Sequence, residues 1–203
     1  MCGPVTIKWA GEKGRGLFAQ ADIRKGDVLF VEKAFGYGFA TDAYSSIDVL
    51  VLTLYEKIMQ SDHHNFLLSF LCDGIREMVL PSMDDIKTTT TNSATASTAN
   101  KLSIENIQGI VRMNSFDFFN NPIPGSTSAT AAKYYDKKDG TALWLLTSFL
   151  NHSRKPNTFR KQFGDIKVIT ASKDIEKGTE LTTMYHYNPG ALKQWGIDKN
   201  SKE

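Results

Sequence analysis

One eight-residue phrase occurs twice in this chain, and its repetition restricts the architecture more than any other feature. Asp22-Ile23-Arg24-Lys25-Gly26-Asp27-Val28-Leu29 returns as Asp174-Ile175-Glu176-Lys177-Gly178-Thr179-Glu180-Leu181, identical at five of eight positions. In each copy a polar turn closes on Lys-Gly, where glycine supplies the positive φ that a tight turn needs, and a strand follows. A single Asp-x-x-Lys-Gly is a common turn; two copies, each leading into a hydrophobic run, predict pseudo-symmetric β-hairpin units. The first forty residues agree, because Val5-Thr6-Ile7-Lys8-Trp9, Leu17-Phe18-Ala19 and Val28-Leu29-Phe30-Val31 are short β-rich runs separated by glycines and polar turns.

Between residues 47 and 80 the period changes. Val49, Leu50, Leu54 and Ile58, then Phe66, Leu67, Phe70 and Leu71, recur mostly three or four apart before Pro81, which predicts one or two amphipathic helices. Residues 88–100 are Thr, Ser, Ala and Asn throughout, too poor in apolar surface to offset the entropy of ordering them, so a mobile loop is expected. A further helix is predicted over 104–112, a long loop over 120–140 and an apolar helix over 142–150.

Length and composition narrow the function classes. A chain of 203 residues suits one domain, or one domain carrying a large insertion. Twenty-four basic against 22 acidic residues leave a net charge of +2, which gives no strong pull toward nucleic acid or membrane. Cys2 and Cys72 are the two cysteines, too few for a disulfide framework or a four-cysteine zinc site, and a reducing intracellular setting is the natural reading. Neither a signal-peptide pattern nor a membrane-length apolar run is evident, so a soluble protein is expected.

Three widely separated segments bear on chemistry. Gly14-Arg15-Gly16-Leu17-Phe18-Ala19 contains a Gly-x-Gly pair, which by itself usually marks a turn; it is no dinucleotide fingerprint, since G-x-G-x-x-G and a parallel βαβ setting are both missing. Asn151-His152-Ser153-Arg154-Lys155-Pro156-Asn157 places hydrogen-bonding side chains directly after the apolar run Leu143-Trp144-Leu145-Leu146, where such groups must find partners. Taken in isolation it reads as a helix C-cap at Asn151 and a satisfied core histidine at His152. Glu180-Leu181-Thr182-Thr183-Met184-Tyr185 ends on a tyrosine that strand packing alone would explain, with Tyr187 next in the alternation.

In order and spacing these segments resemble the SET methyltransferases, and Asn114-Ser115-Phe116 is similar to the Asn-Ser-Phe of the SET and MYND domain branch. The resemblance runs from about residue 5 to 197 and is weakest over 37–101. It implies a SET-domain (β-clip) fold, mainly β with inserted helices and a knot-like C-terminal crossing. The domain would occupy 1–203, with a helical insertion at 41–112, a mobile loop at 87–101 and a short post-SET-like segment at 189–203. It further implies S-adenosyl-L-methionine as cofactor and methyl transfer to a lysine of a histone or another protein, with Tyr185 catalytic. By the same resemblance Lys13, Gly14, Arg15, Gly16, Asn114, Asn151, His152 and Ile197 would bind cofactor, with Lys13 or Arg15 meeting its carboxylate. Phe116, Ser148, Tyr187 and Trp195 would line the substrate-lysine channel.

The chain departs from that branch in two places. Arg154 stands where most relatives carry a cysteine, and the tail Ala191-Leu192-Lys193-Gln194-Trp195-Gly196-Ile197 keeps the hydrophobic part without the cysteines. The MYND finger is missing as well, so neither zinc nor another metal is expected. Two competing readings are a catalytically inactive module that binds cofactor and a peptide, and a β-clip protein that binds carbohydrate or ice; the latter has no use for Asn-His-Ser followed by Glu-Leu-Thr-x-x-Tyr. The expected partner is a protein substrate, without direct nucleic-acid or membrane binding, and the chain itself is expected to be a monomer, intracellular in the nucleus or cytoplasm.

Overall fold

Short alternating runs and glycine punctuation do produce short strands. The computed structural model describes residues 2–87, 100–118 and 140–185. In chain order these form β1 (Val5–Trp9), β2 (Arg15–Ala19), β3 (Val28–Lys33), β4 (Gly36–Phe39), α1 (Ser46–Gln60), α2 (Asp62–Ser69), α3 (Met83–Lys87), α4 (Ile104–Asn114), β5 (Phe116–Phe118), β6 (Gly140–Leu143), β7 (Asn151–His152), β8 (Thr158–Phe163), β9 (Ile166–Ala171) and β10 (Glu180–Thr183). The architecture is the expected one, small β-sheets with inserted helices. The strands make three sheets, ordered β1-β2-β10-β7, β3-β9-β8 and β4-β6-β5. The chain divides into two compact units, one holding the described residues of 1–31, 149–160 and 168–203, the other those of 32–148 and 161–167.

In the first unit β1 and β2 form an antiparallel hairpin with Val5 opposite Ala19 and Trp9 opposite Arg15. The buried face carries Val5, Ile7, Leu17 and Ala19, the alternation visible in the sequence. The repeated phrase folds as a reciprocal pair. Ile23 and Ile175 exchange both backbone hydrogen bonds at 2.9 Å. The Lys25 amide donates to the Asp174 carboxylate and the Lys177 amide to the Asp22 carboxylate, each at 2.8 Å. Gly26 and Gly178 take φ of 91° and 86°, the left-handed backbone anticipated for the Lys-Gly turns.

In the second unit α1 lies on the β4-β6-β5 sheet. A capping box between Ser45 and Asp48 starts α1, and Leu50, Val51, Leu54 and Ile58 form its buried face. Gly36 and Gly38 on β4 permit the close approach: a Cβ on Gly38 would fall 2.5 Å from the Leu50 amide nitrogen and 2.6 Å from the Ser46 carbonyl oxygen. Behind the sheet sit Phe39, Phe118, Ala142 and Trp144.

Two expectations are corrected here. The helical stretch predicted over 47–80 ends at Ser69, because the buried Asp73 carboxylate captures the backbone N–H groups of Ile75 and Arg76 around Gly74, whose φ is 79°. That local turn outcompetes continued helix. The apolar helix predicted over 142–150 is instead the central strand β6 followed by a turn and a 3-10 helix over Thr147–Phe149. A strand paired on both edges and covered by core reads as a continuous apolar run, which periodicity cannot tell from a buried helix. The helix expected over 104–112 is present as α4, with a capping box from Ser103 and Asn106. The loop expectations for 88–99 and 120–139, and the crossing and tail beyond 185, lie outside the described residues.

Candidate functional site

β10 occupies an inner position of the first unit's sheet, antiparallel to β2 and parallel to β7, with Thr182 opposite Asn151 and Thr183 opposite His152. The Asn-His-Ser and Glu-Leu-Thr segments, 29 positions apart by their Asn151 and Glu180, are thus adjacent strands. Asn157, at the end of the first motif, is buried and clamps β10: its amide nitrogen donates to the Glu180 carbonyl at 2.8 Å, and its oxygen accepts from the Thr182 amide at 2.8 Å. Thr158 adds a hydroxyl bond to the Thr182 carbonyl at 2.8 Å.

This clamp delivers Tyr185. Its amide donates to His152 Nδ1 at 3.1 Å, so the imidazole hydrogen resides on Nε2, and the two rings lie 5.4 Å apart. The Tyr185 hydroxyl donates to the Leu150 carbonyl oxygen at 2.8 Å. Although the residue keeps part of its surface open, desolvation pushes the phenol pKa up to about 12, against the pull of the Arg160 charge, so it stays protonated throughout the physiological range. His152 therefore serves here as a scaffold for Tyr185, with its side chain turned to the interior.

The Gly-x-Gly segment comes to the same place. Gly14 has φ 80° and ψ −118°, and a Cβ on Gly16 would come within 2.9 Å of both Asn151 Nδ2 and Glu180 Oε1. Asn151 Nδ2 donates to the Arg15 carbonyl at 3.0 Å and to Glu180 Oε1 at 2.7 Å. Lys13 reaches the other Glu180 oxygen at 3.4 Å. Arg15 is 7% exposed, and its guanidinium lies 5.3 Å from the centre of the Phe149 ring. Of the two cations expected at a ligand carboxylate, Lys13 is the accessible one.

Asn114, Phe116 and Ser148 belong to the second unit. The Asn114 amide nitrogen donates to the Cys72 and Ile110 carbonyls at 2.7 and 2.8 Å, and the Ser148 hydroxyl bonds the Trp144 and Asn114 carbonyls at 2.7 and 3.3 Å. Phe116 meets Trp144 edge-on, and the buried Lys167 ammonium sits 3.7 Å from the Phe116 ring centre and 3.6 Å from that of Trp144. Tyr187, Trp195 and Ile197 lie outside the described residues.

Sequence reasoning gave no role to Glu180, Asn157, Glu32 or Lys167. Asn157 stands inside a quoted motif, and alternation along β9 puts Lys167 on the face of Ile169 and Ala171, so both left a trace. Glu32 left none: its carboxylate accepts from the amides of Leu146 and Thr147 and the Thr147 hydroxyl, at 2.6 to 2.9 Å, while burial raises its pKa. Among the described residues no three His, Cys, Asp or Glu side chains converge in a way that would hold a metal, and no helix is long and apolar enough to cross a membrane.

A family model described as the SET domain matches residues 14–186, and the chain belongs to that family. A relative from Gibberella zeae named "Methyltransferase" is 26% identical over 196 residues, which cover 90% of this chain and 27% of that protein. The chain therefore spans about a quarter of that relative's length. A solved structure from Plasmodium falciparum with a provisional histone methyltransferase name is similar at a TM-score of 0.40 and 10% identity, over 93% of this chain and 97% of its own.

Proposed function

We propose that this chain transfers a methyl group from S-adenosylmethionine to a lysine of a histone or another protein. The observation that carries the reading is Tyr185: a phenol at the end of β10, desolvated, protonated and bonded through its proton to Leu150 beside the Asn-His-Ser strand. The neighbouring residues fit the cofactor. At Gly16 the missing side chain lets the β2 backbone approach Asn151 and Glu180, where a Cβ would lie 2.9 Å from both, and close by stand an amide, a carboxylate and a cation suited to a zwitterionic amino-acid end.

When bound, S-adenosylmethionine supplies a methyl group already activated by its sulfonium. The chain's own residues must present a neutral amine in line and keep water out. A free lysine has a pKa of about 10.4, so reaching the neutral form near neutral pH costs on the order of 4 kcal/mol, and an apolar aromatic channel lowers that cost by desolvating the ammonium. Tyr185 contributes orientation: with its proton committed to Leu150, its oxygen presents lone pairs to an incoming N–H. Lys13, Gly14, Arg15, Gly16, Asn114, Asn151, His152 and Ile197 hold the cofactor in this reading, and Phe116, Ser148, Tyr187 and Trp195 line the channel. Kinship with the SET and MYND branch rests on Asn114-Ser115-Phe116.

Turnover with labelled cofactor over a panel of proteins tests the proposal, with mass spectrometry reporting the lysine modified. Tyr185→Phe is expected to lower transfer by about a hundredfold or more while calorimetry finds S-adenosylhomocysteine bound within about twofold of wild type. Undiminished transfer in that variant overturns the role given to Tyr185.

A further inference from the structure

We infer that Glu180 is a positioning residue that fixes the amide of Asn151 with its oxygen toward the cofactor's ammonium group; this rests on the function proposed above and deepens it. The inference follows from hydrogen-bond accounting. The two groups closest to Asn151 Nδ2 are the Arg15 carbonyl at 3.0 Å and the Glu180 carboxylate at 2.7 Å, and both are pure acceptors. Only the NH2 side of the amide satisfies them, so the network sets the amide orientation. Both hydrogens are thereby used, and Oδ1 keeps its acceptor capacity without a bond among the described residues.

Without Glu180 only the Arg15 carbonyl would oppose a flip of the amide. A flipped amide would lose one bond to the Arg15 carbonyl and would offer a donor where an acceptor is needed, and an –NH2 facing an ammonium repels it. Glu180 is itself held: Lys13 bridges its second oxygen at 3.4 Å, its backbone is paired with Phe18 of β2, and its carbonyl receives the buried Asn157 amide. The carboxylate is thus held by Lys13 and Asn151, and the backbone that carries it by β2 and Asn157, before any ligand arrives, which is how a site avoids spending binding energy on ordering its own groups. Gly16 completes the device, because any side chain there would wedge between the amide and the carboxylate.

The test is calorimetric and independent of turnover. S-adenosylhomocysteine, which carries the amino-acid end, and 5′-methylthioadenosine, which lacks it, are titrated into wild type, Glu180→Gln and Glu180→Ala, with melting temperatures recorded for each. Glu180→Ala is expected to bind S-adenosylhomocysteine about tenfold more weakly, the worth of one charge-assisted bond, and methylthioadenosine within about twofold of wild type. Glu180→Gln, which still accepts from the amide, is expected to restore most of the loss. A merely structural role would weaken both ligands together and overturns the inference, as does a Gln variant no better than Ala. If wild type binds both ligands and Glu180→Ala changes neither, this inference falls and the parent function stands; if wild type binds neither, both fall.

Discussion

The molecule contains two Gly-x-Gly segments that look alike in sequence and do opposite things. Gly36-Tyr37-Gly38 lies on a strand under α1, and the missing side chains let helix backbone and sheet backbone close to van der Waals distance. Gly14-Arg15-Gly16 opens β2, and its missing side chain faces the amide of Asn151 and the carboxylate of Glu180. In the second unit the buried polar groups are spent on the fold. Asp73, for example, takes hydrogen bonds from Ile75, Arg76 and Asn106. In the first unit the groups are held in place yet keep bonding capacity. Glycine pairs carry information about function only through what stands opposite them.

The contrast is sharpest at Gly38. Alanine there meets backbone atoms that cannot rotate away, and a loss of about 3 kcal/mol, or roughly 10 °C in Tm, is expected in thermal melts. Next comes Asp73. Burial opposes its ionisation, but bonds from the Arg76 and Ile75 backbones and from the Arg76 guanidinium hold its pKa at about 2, below the ordinary 3.8. A depressed pKa stabilises the fold above about pH 4 and loses that contribution as pH falls toward 2. Asp73→Asn should therefore cost about 2 kcal/mol at neutral pH and flatten the acid limb of the stability curve, with S-adenosylhomocysteine affinity unchanged.

Gly16→Ala should reverse the pattern. The groups it meets are side-chain ends, so stability falls by about 1 kcal/mol, whereas calorimetry should show a loss of about tenfold or more in S-adenosylhomocysteine affinity. Equal stability losses at Gly16 and Gly38 with no binding change would erase the distinction. The smallest effect is alkaline. The Tyr185 phenol titrates near 12, above its ordinary 10, so its environment adds stability that is intact below pH 10 and lost as pH rises toward 12. Tyr185→Phe should remove that decline and one late-titrating phenol from the ultraviolet titration.

Much of this was legible in the chain. The repeated phrase became the reciprocal turns, the alternation became β1 and β2, and the period over 104–112 became α4. The motif residues Asn151 and Tyr185 come together in the first unit because Asn157, which closes the Asn-His-Ser segment, clamps the strand that leads to Tyr185. What failed to show was anything decided by distant packing. Residues 142–146 are apolar without a break, so no period distinguishes the end of β6 from a helix. Glu32 is an ordinary strand residue until the amides of Leu146 and Thr147, 114 and 115 positions away, surround it. The orientation of the Asn151 amide is set by groups from three separate segments of the chain.

The exchange between the two Asp-Ile-x-Lys-Gly turns has a temporal meaning. Lys25 and Lys177 each depend for amide closure on an aspartate about 150 residues distant, as do the two isoleucines on each other. During synthesis the turn that follows β2 must wait, incompletely tied, until the ribosome has released the second copy of the phrase, so strands made well before that copy are locked only after it.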